Sequence, residues 1–67
     1  MIDFDYDPDE IVRYANQDMS LRQAVKRWKA LLPEEQNLAD FFRDKGKEPT
    51  IFELKHIRTL ATLPEFK

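Results

Sequence analysis

Asp7-Pro8-Asp9-Glu10-Ile11-Val12-Arg13-Tyr14-Ala15-Asn16-Gln17 is the stretch on which the fold class turns. Asp7 stands where a helix N-cap belongs, and Pro8 suits the first helical position, where a missing N–H costs nothing. Glu10 follows the cap by three residues, the spacing at which its side chain can return to the cap's backbone N–H. Read this way, a first helix runs over residues 8–17 with Ile11, Val12, Tyr14 and Ala15 on its inner face. No later segment then has strand character, and the chain reads as all-α.

Upstream, residues 2–7 alternate apolar Ile2, Phe4 and Tyr6 with Asp3, Asp5 and Asp7, a period-two pattern that suits an extended acidic arm over residues 1–7. Downstream, Ser20 and Gln23 form a capping box, Met19 is placed as a staple to Ala24, and Pro33 follows, which predicts a second helix over residues 21–32. On a wheel of 100° per residue its Leu21, Ala24, Val25, Trp28, Leu31 and Leu32 share one side, and Arg22, Lys26 and Lys29 line the next. Trp28 lies centrally on the apolar side and is expected in the core.

Pro33 can open a third helix over residues 34–45, with Glu34 and Glu35 in its first turn, Arg43 and Lys45 in its last, and Gly46 to end it in a left-handed conformation. Leu38, Phe41 and Phe42 would be its core residues. Thr50 and Glu53 make a further capping box after Pro49, predicting a fourth helix over residues 51–62 that aligns Ile51, Leu54, Ile57, Leu60 and Ala61 before Pro64. The expected fold is therefore a compact bundle of three to four short helices with an extended arm, one small domain over residues 1–67.

Composition agrees with a small folded unit. Sixty-seven residues lie near the lower limit for a core unaided by disulfides or metal, and eight aromatics supply large apolar areas. With no cysteine, no apolar run of membrane length and an acidic start where a signal peptide is basic, the expected location is cytoplasmic. The net charge of −2 divides unevenly: residues 1–18 carry six acids and one base, residues 19–67 seven acids and ten bases. Such asymmetry suggests polar partners.

Motifs for chemistry fail on inspection. Asp3-x-Asp5-x-Asp7 begins like a calcium loop, but Pro8 stands where the loop needs Gly and Tyr14 where it needs a bidentate Glu. The same spacing opens the aspartate motif of some phosphatases, which requires a larger, sheet-based domain. His56, the one histidine, has no cysteine or second imidazole to complete a zinc site. Ser20 is used as a cap, and Glu34-Glu35 suits a helix N-terminus rather than a catalytic dyad. The chain is expected not to be an enzyme and to hold no cofactor or metal.

A local resemblance bears on partners. Leu38-Ala39-x-Phe41-Phe42, then Gly46-Lys47-Glu48-Pro49-Thr50 and Leu54, is similar to the second and third helices of helix-turn-helix domains. Its Gly-Lys-Glu-Pro-Thr turn resembles one in region 3 of bacterial sigma factors. The resemblance covers less than a third of the chain and assigns it to no family. It implies a recognition helix over residues 51–62 that exposes Phe52, Lys55, His56 and Thr59.

Two readings of function follow. The first is a small non-catalytic regulatory or adaptor module that binds a larger protein, as an inhibitor or assembly factor, through Ile2, Phe4 and Tyr6 of the arm and a patch at Phe52 and His56. The alternative is a helix-turn-helix transcriptional regulator binding nucleic acid through Arg22, Lys26, Arg27, Lys29, Lys55 and Thr59. A variant of the first lets the arm's acids imitate nucleic-acid charge on a partner. The sequence leaves the oligomeric state open.

Overall fold

Residues 11–20 form a β-hairpin, not a helix. In the computed structural model, which describes residues 4–44 and 46–66, strand β1 is Ile11–Tyr14 and strand β2 is Gln17–Ser20. They pair antiparallel with Tyr14 opposite Gln17, leaving a turn of two residues. Those two, Ala15 and Asn16, have φ of 52° and 65°. Positive φ at both central positions is what a type I′ turn requires, and its twist matches that of the flanking strands. The period of two then sends Val12 and its register partner Met19 inward, at 1% and 6% exposure, and turns Ile11, Arg13 and Asp18 outward.

The capping chemistry of Asp7 and Glu10 is present, but it closes a single turn. The Glu10 N–H donates to the Asp7 carbonyl at 3.0 Å, the Asp7 N–H donates to Glu10 Oε2 at 2.9 Å, and the Asp9 N–H donates to Asp7 Oδ1 at 2.9 Å. This turn then serves the next element. The carbonyls of Glu10 and Pro8 accept from the N–H groups of Leu21 and Arg22 at 2.8 and 3.0 Å, satisfying donors that a helix start leaves orphaned.

Helix α1, Leu21–Lys29, is capped by Ser20, whose Oγ accepts from the Gln23 N–H at 3.2 Å. Leu21, Ala24, Val25 and Trp28 are buried, as their spacing predicts. The helix stops short of residue 32 because Leu32, ahead of Pro33, is extended at φ −66° and ψ 151° and 60% exposed. Pro33 does open a helix, α2, but Pro33–Gln36 is a single turn. It is fixed to α1 by two bonds: the Trp28 indole N–H donates to the Gln36 carbonyl at 3.1 Å, and Gln36 Nε2 donates to the Trp28 carbonyl at 3.0 Å.

The expected helix over residues 34–45 is replaced by strand β3, Phe41–Phe42, and the start of the expected helix over 51–62 by strand β4, Ile51–Phe52. β3 pairs antiparallel with β1, Arg13 opposite Phe42, and with β4, Phe41 opposite Phe52 and Phe42 opposite Ile51. The sheet order is β2-β1-β3-β4. Gly46, at φ 91°, is left-handed as its position suggests, yet it serves the connection between β3 and β4, which also contains a cis Glu48–Pro49 bond. Helix α3 is Leu54–Ala61 with Glu53 rather than Thr50 as N-cap, and a closing 3-10 turn, Pro64–Phe66, buries Phe66.

The fold is α+β, a four-stranded antiparallel sheet with short helices, and the all-α bundle does not form. The residues that resemble a helix-turn-helix are a strand, a loop, a strand and a helix start. α1 packs on β1 and β2, α3 packs on β4, and the two helices meet over the sheet. Between the layers lie Val12, Met19, Phe41 and Phe52 from the strands and Val25, Trp28, Ile57 and Leu60 from the helices, one continuous core. No helix among the described residues is long and apolar enough to cross a membrane.

Candidate functional site

A strand presents alternate residues to opposite faces, so a sheet with helices on one side shows a second set of side chains on the other. Here that second set is apolar at its centre. Ile11 of β1 is 50% exposed and Phe42 of β3 is 52% exposed, with Ile51 of β4 half-buried at Phe42's side. The same period turns Asp40 and Asp44 outward with Phe42, because Phe41 and Arg43 between them point inward. Two shallow concavities flank Phe42. One, of about 480 Å³, is lined by Ile11, Arg13, Asp18, Phe42 and Asp44, and the other, of about 310 Å³, by Arg13, Leu38, Asp40 and Phe42. Leu38, which a helix would have buried, is 84% exposed at this rim.

Arg13 and Asp18 face each other across the hairpin and pair at 3.1 Å on this open face. A second ion pair lies on the covered side. Arg43 Nε and Nη2 donate to Glu10 Oε1 and Oε2 at 2.8 and 3.1 Å, a bidentate arrangement with side chains 3% and 1% exposed. The same guanidinium donates through Nη1 to the Pro49 carbonyl at 2.9 Å and lies 4.3 Å from the Phe52 ring centroid. Lys47 Nζ stands 3.6 Å from Glu10 Oε1. This network ties the 7–10 turn, β3 and the Gly46 loop together, and every buried side-chain polar atom described has a partner. Sequence reading missed it, since nothing local links residues 33 positions apart.

The residues expected to bind protein are mostly used internally. Ile2 lies outside the described residues. Phe4 packs edge-on against His56 and Phe52, at centroid distances of 4.8 and 5.7 Å, and Phe52 is fully buried, so it forms core rather than surface. The Tyr6 hydroxyl donates to Glu65 Oε1 at 2.7 Å, and that bond, burial and the Glu65 charge all raise its pKa. Residues 4–6 thus lie along α3 and the closing turn. The Glu53 N–H donates to His56 Nδ1 at 3.0 Å, which uses the imidazole's lone pair. Burial, with the Lys55 and Arg43 charges against a partial offset from Glu53, holds the His56 pKa below the ordinary imidazole value.

Three of the bases expected on a nucleic-acid surface are also engaged. Arg22 pairs with Asp9 at 2.9 Å, Arg27 Nη1 donates to Gln17 Oε1 at 3.3 Å, and Lys29 Nζ donates to the Phe66 carbonyl. Lys26 is exposed on α1, while Lys55 and Thr59 are joined by a bond from Thr59 Oγ1 to the Lys55 carbonyl at 3.0 Å. Among the described residues no group of His, Asp and Glu side chains converges as a metal site. No family model matches the chain, and neither a protein of assigned function nor a solved structure matches it.

Proposed function

We propose that this chain is a non-catalytic regulatory or adaptor module that binds another protein through the face of its sheet that no helix covers. The observation that carries the reading is Phe42, half exposed beside Ile11 in the middle of a regular sheet where solvent-facing positions are ordinarily polar. The arm and the Phe52 patch are not the binding elements in this reading, because Phe4, Tyr6 and Phe52 are packed within the fold. Nothing in the arrangement of α1 favours the nucleic-acid alternative over this one, since Arg22, Arg27 and Lys29 have intramolecular partners.

The test is site-specific photocrosslinking in the native cells, with a benzophenone side chain placed at position 42 or, for comparison, at position 26 on the outer side of α1. A discrete protein adduct from position 42 that disappears on Ile11→Asp, with none from position 26, is the expected result. Adducts from position 26 alone, or nucleic-acid adducts there, would overturn the reading.

A further inference from the structure

We infer that the occupant of the open sheet face is a basic amphipathic helix. This rests on the reading of that face as the docking surface and adds the chemistry of what docks. The exposed apolar side chains project from the face, not along an edge, so they call for a covering layer rather than an added strand. Ile11, Phe42 and Ile51 stand on three adjacent strands, β1, β3 and β4. Ile51 is in register with Phe42, but Ile11 lies two residues along β1 from Arg13, Phe42's other partner, so the three form an oblique row of about 12 Å, close to the roughly 11 Å rise of two helical turns that an apolar stripe at i, i+3/i+4 and i+7 spans.

Charge selects the sign of the helix. Arg13, the register partner of Phe42 on the open face, is paired with Asp18 at 3.1 Å, and Arg43, next to Phe42 in the chain, points inward and is neutralised by Glu10 at 2.8 Å. The outward side chains that line the two concavities are Asp18, Asp40 and Asp44 against Arg13. Four bases, Arg22, Lys26, Arg27 and Lys29, stand on α1 in the opposite layer. A second copy of the chain is disfavoured as the occupant, because pairing two such faces sets like-charged rims together. A helix with a leucine stripe flanked by Lys or Arg meets both the row and the rim.

The probe is a pair of synthetic helical peptides of about three turns with the same leucine stripe, one with a lysine polar face and one with a glutamate face, titrated into the full chain by amide NMR. The lysine peptide is expected to shift Ile11, Arg13 and Phe42, to bind at least about tenfold tighter than the glutamate peptide, and to weaken between about 50 and 200 mM salt. Asp40→Asn with Asp44→Asn should weaken it about threefold or more while leaving the remaining spectrum in place. Equal or tighter binding of the glutamate peptide, no binding of the lysine peptide, or shifts centred on the acidic 5–9 segment would overturn the inference. If photocrosslinking from position 42 still captures a protein in that case, the open-face reading stands and the basic-helix chemistry is what failed.

Discussion

Phe41 and Phe42 are neighbours in sequence with opposite fates: the first is fully buried in the core, the second 52% exposed on the far side of the same strand. The two ion pairs divide the same way. Glu10–Arg43 is sealed on the covered side and Arg13–Asp18 is open, with side chains 62% and 61% exposed. One side of the sheet therefore holds the chain folded, and the other is available for contact. Substitutions on the two sides should separate stability from binding.

The largest effects belong to the covered side. Glu10→Gln leaves a buried guanidinium without its counter-charge and should cost about 3 to 5 kcal/mol, of the order of the whole stability of so small a chain. Arg13→Ala on the open side should change stability by less than about 0.5 kcal/mol. Chemical denaturation of both variants checks this contrast. A combined Glu10→Leu, Arg43→Met variant should be more stable than either single change, since no orphaned charge remains. Trp28→Ala, which removes the indole and its bond to the Gln36 carbonyl, should likewise cost about 3 to 5 kcal/mol, and a preserved melting temperature would refute its core role.

Local signals were legible where they concern a single turn. The Ser20 cap, the apolar face of α1, the Pro33 start and the left-handed Gly46 were all readable from neighbouring residues. The Asp7–Glu10 bonds were readable too, but the same bonds close an isolated turn as well as a helix start. What followed was hidden because Ile11-Val12 and Phe41-Phe42 place two apolar residues side by side, masking the period of two. The hairpin turn uses Ala15 where Gly or Asn would have signalled it. Strands of two residues, as at Ile51–Phe52, are too short to show a period at all, and the cap signature of Thr50 is overridden by pairing with β3. The open face could not be found before the strands were, because its residues come together only through the sheet.

That hidden turn gives an intermediate effect of the opposite sign. Ala15→Gly relieves a left-handed alanine and should stabilise the hairpin by about 0.5 to 1 kcal/mol, raising the melting temperature by roughly 2 to 6 °C. A lower melting temperature would argue against the type I′ turn.

The smallest effect lies at His56 on α3. A His56 pKa lowered on folding means that the unfolded chain binds more protons between the folded value and about 6.5. Stability contributed by neutral His56 is thus present above about pH 6.5 and declines as pH falls toward the folded value. His56→Gln can keep the bond from the Glu53 N–H without titrating, and should flatten this part of the stability profile; an unchanged slope would remove His56 as its source.

The central claim, that the sheet has one face for folding and one for contact, is tested most directly by urea unfolding of Phe41→Ala and Phe42→Ala side by side. The account predicts a loss of about 3 to 5 kcal/mol for the first and a change within about 0.5 kcal/mol for the second. Comparable losses in both would mean that Phe42 is held by the fold, and would contradict the open face.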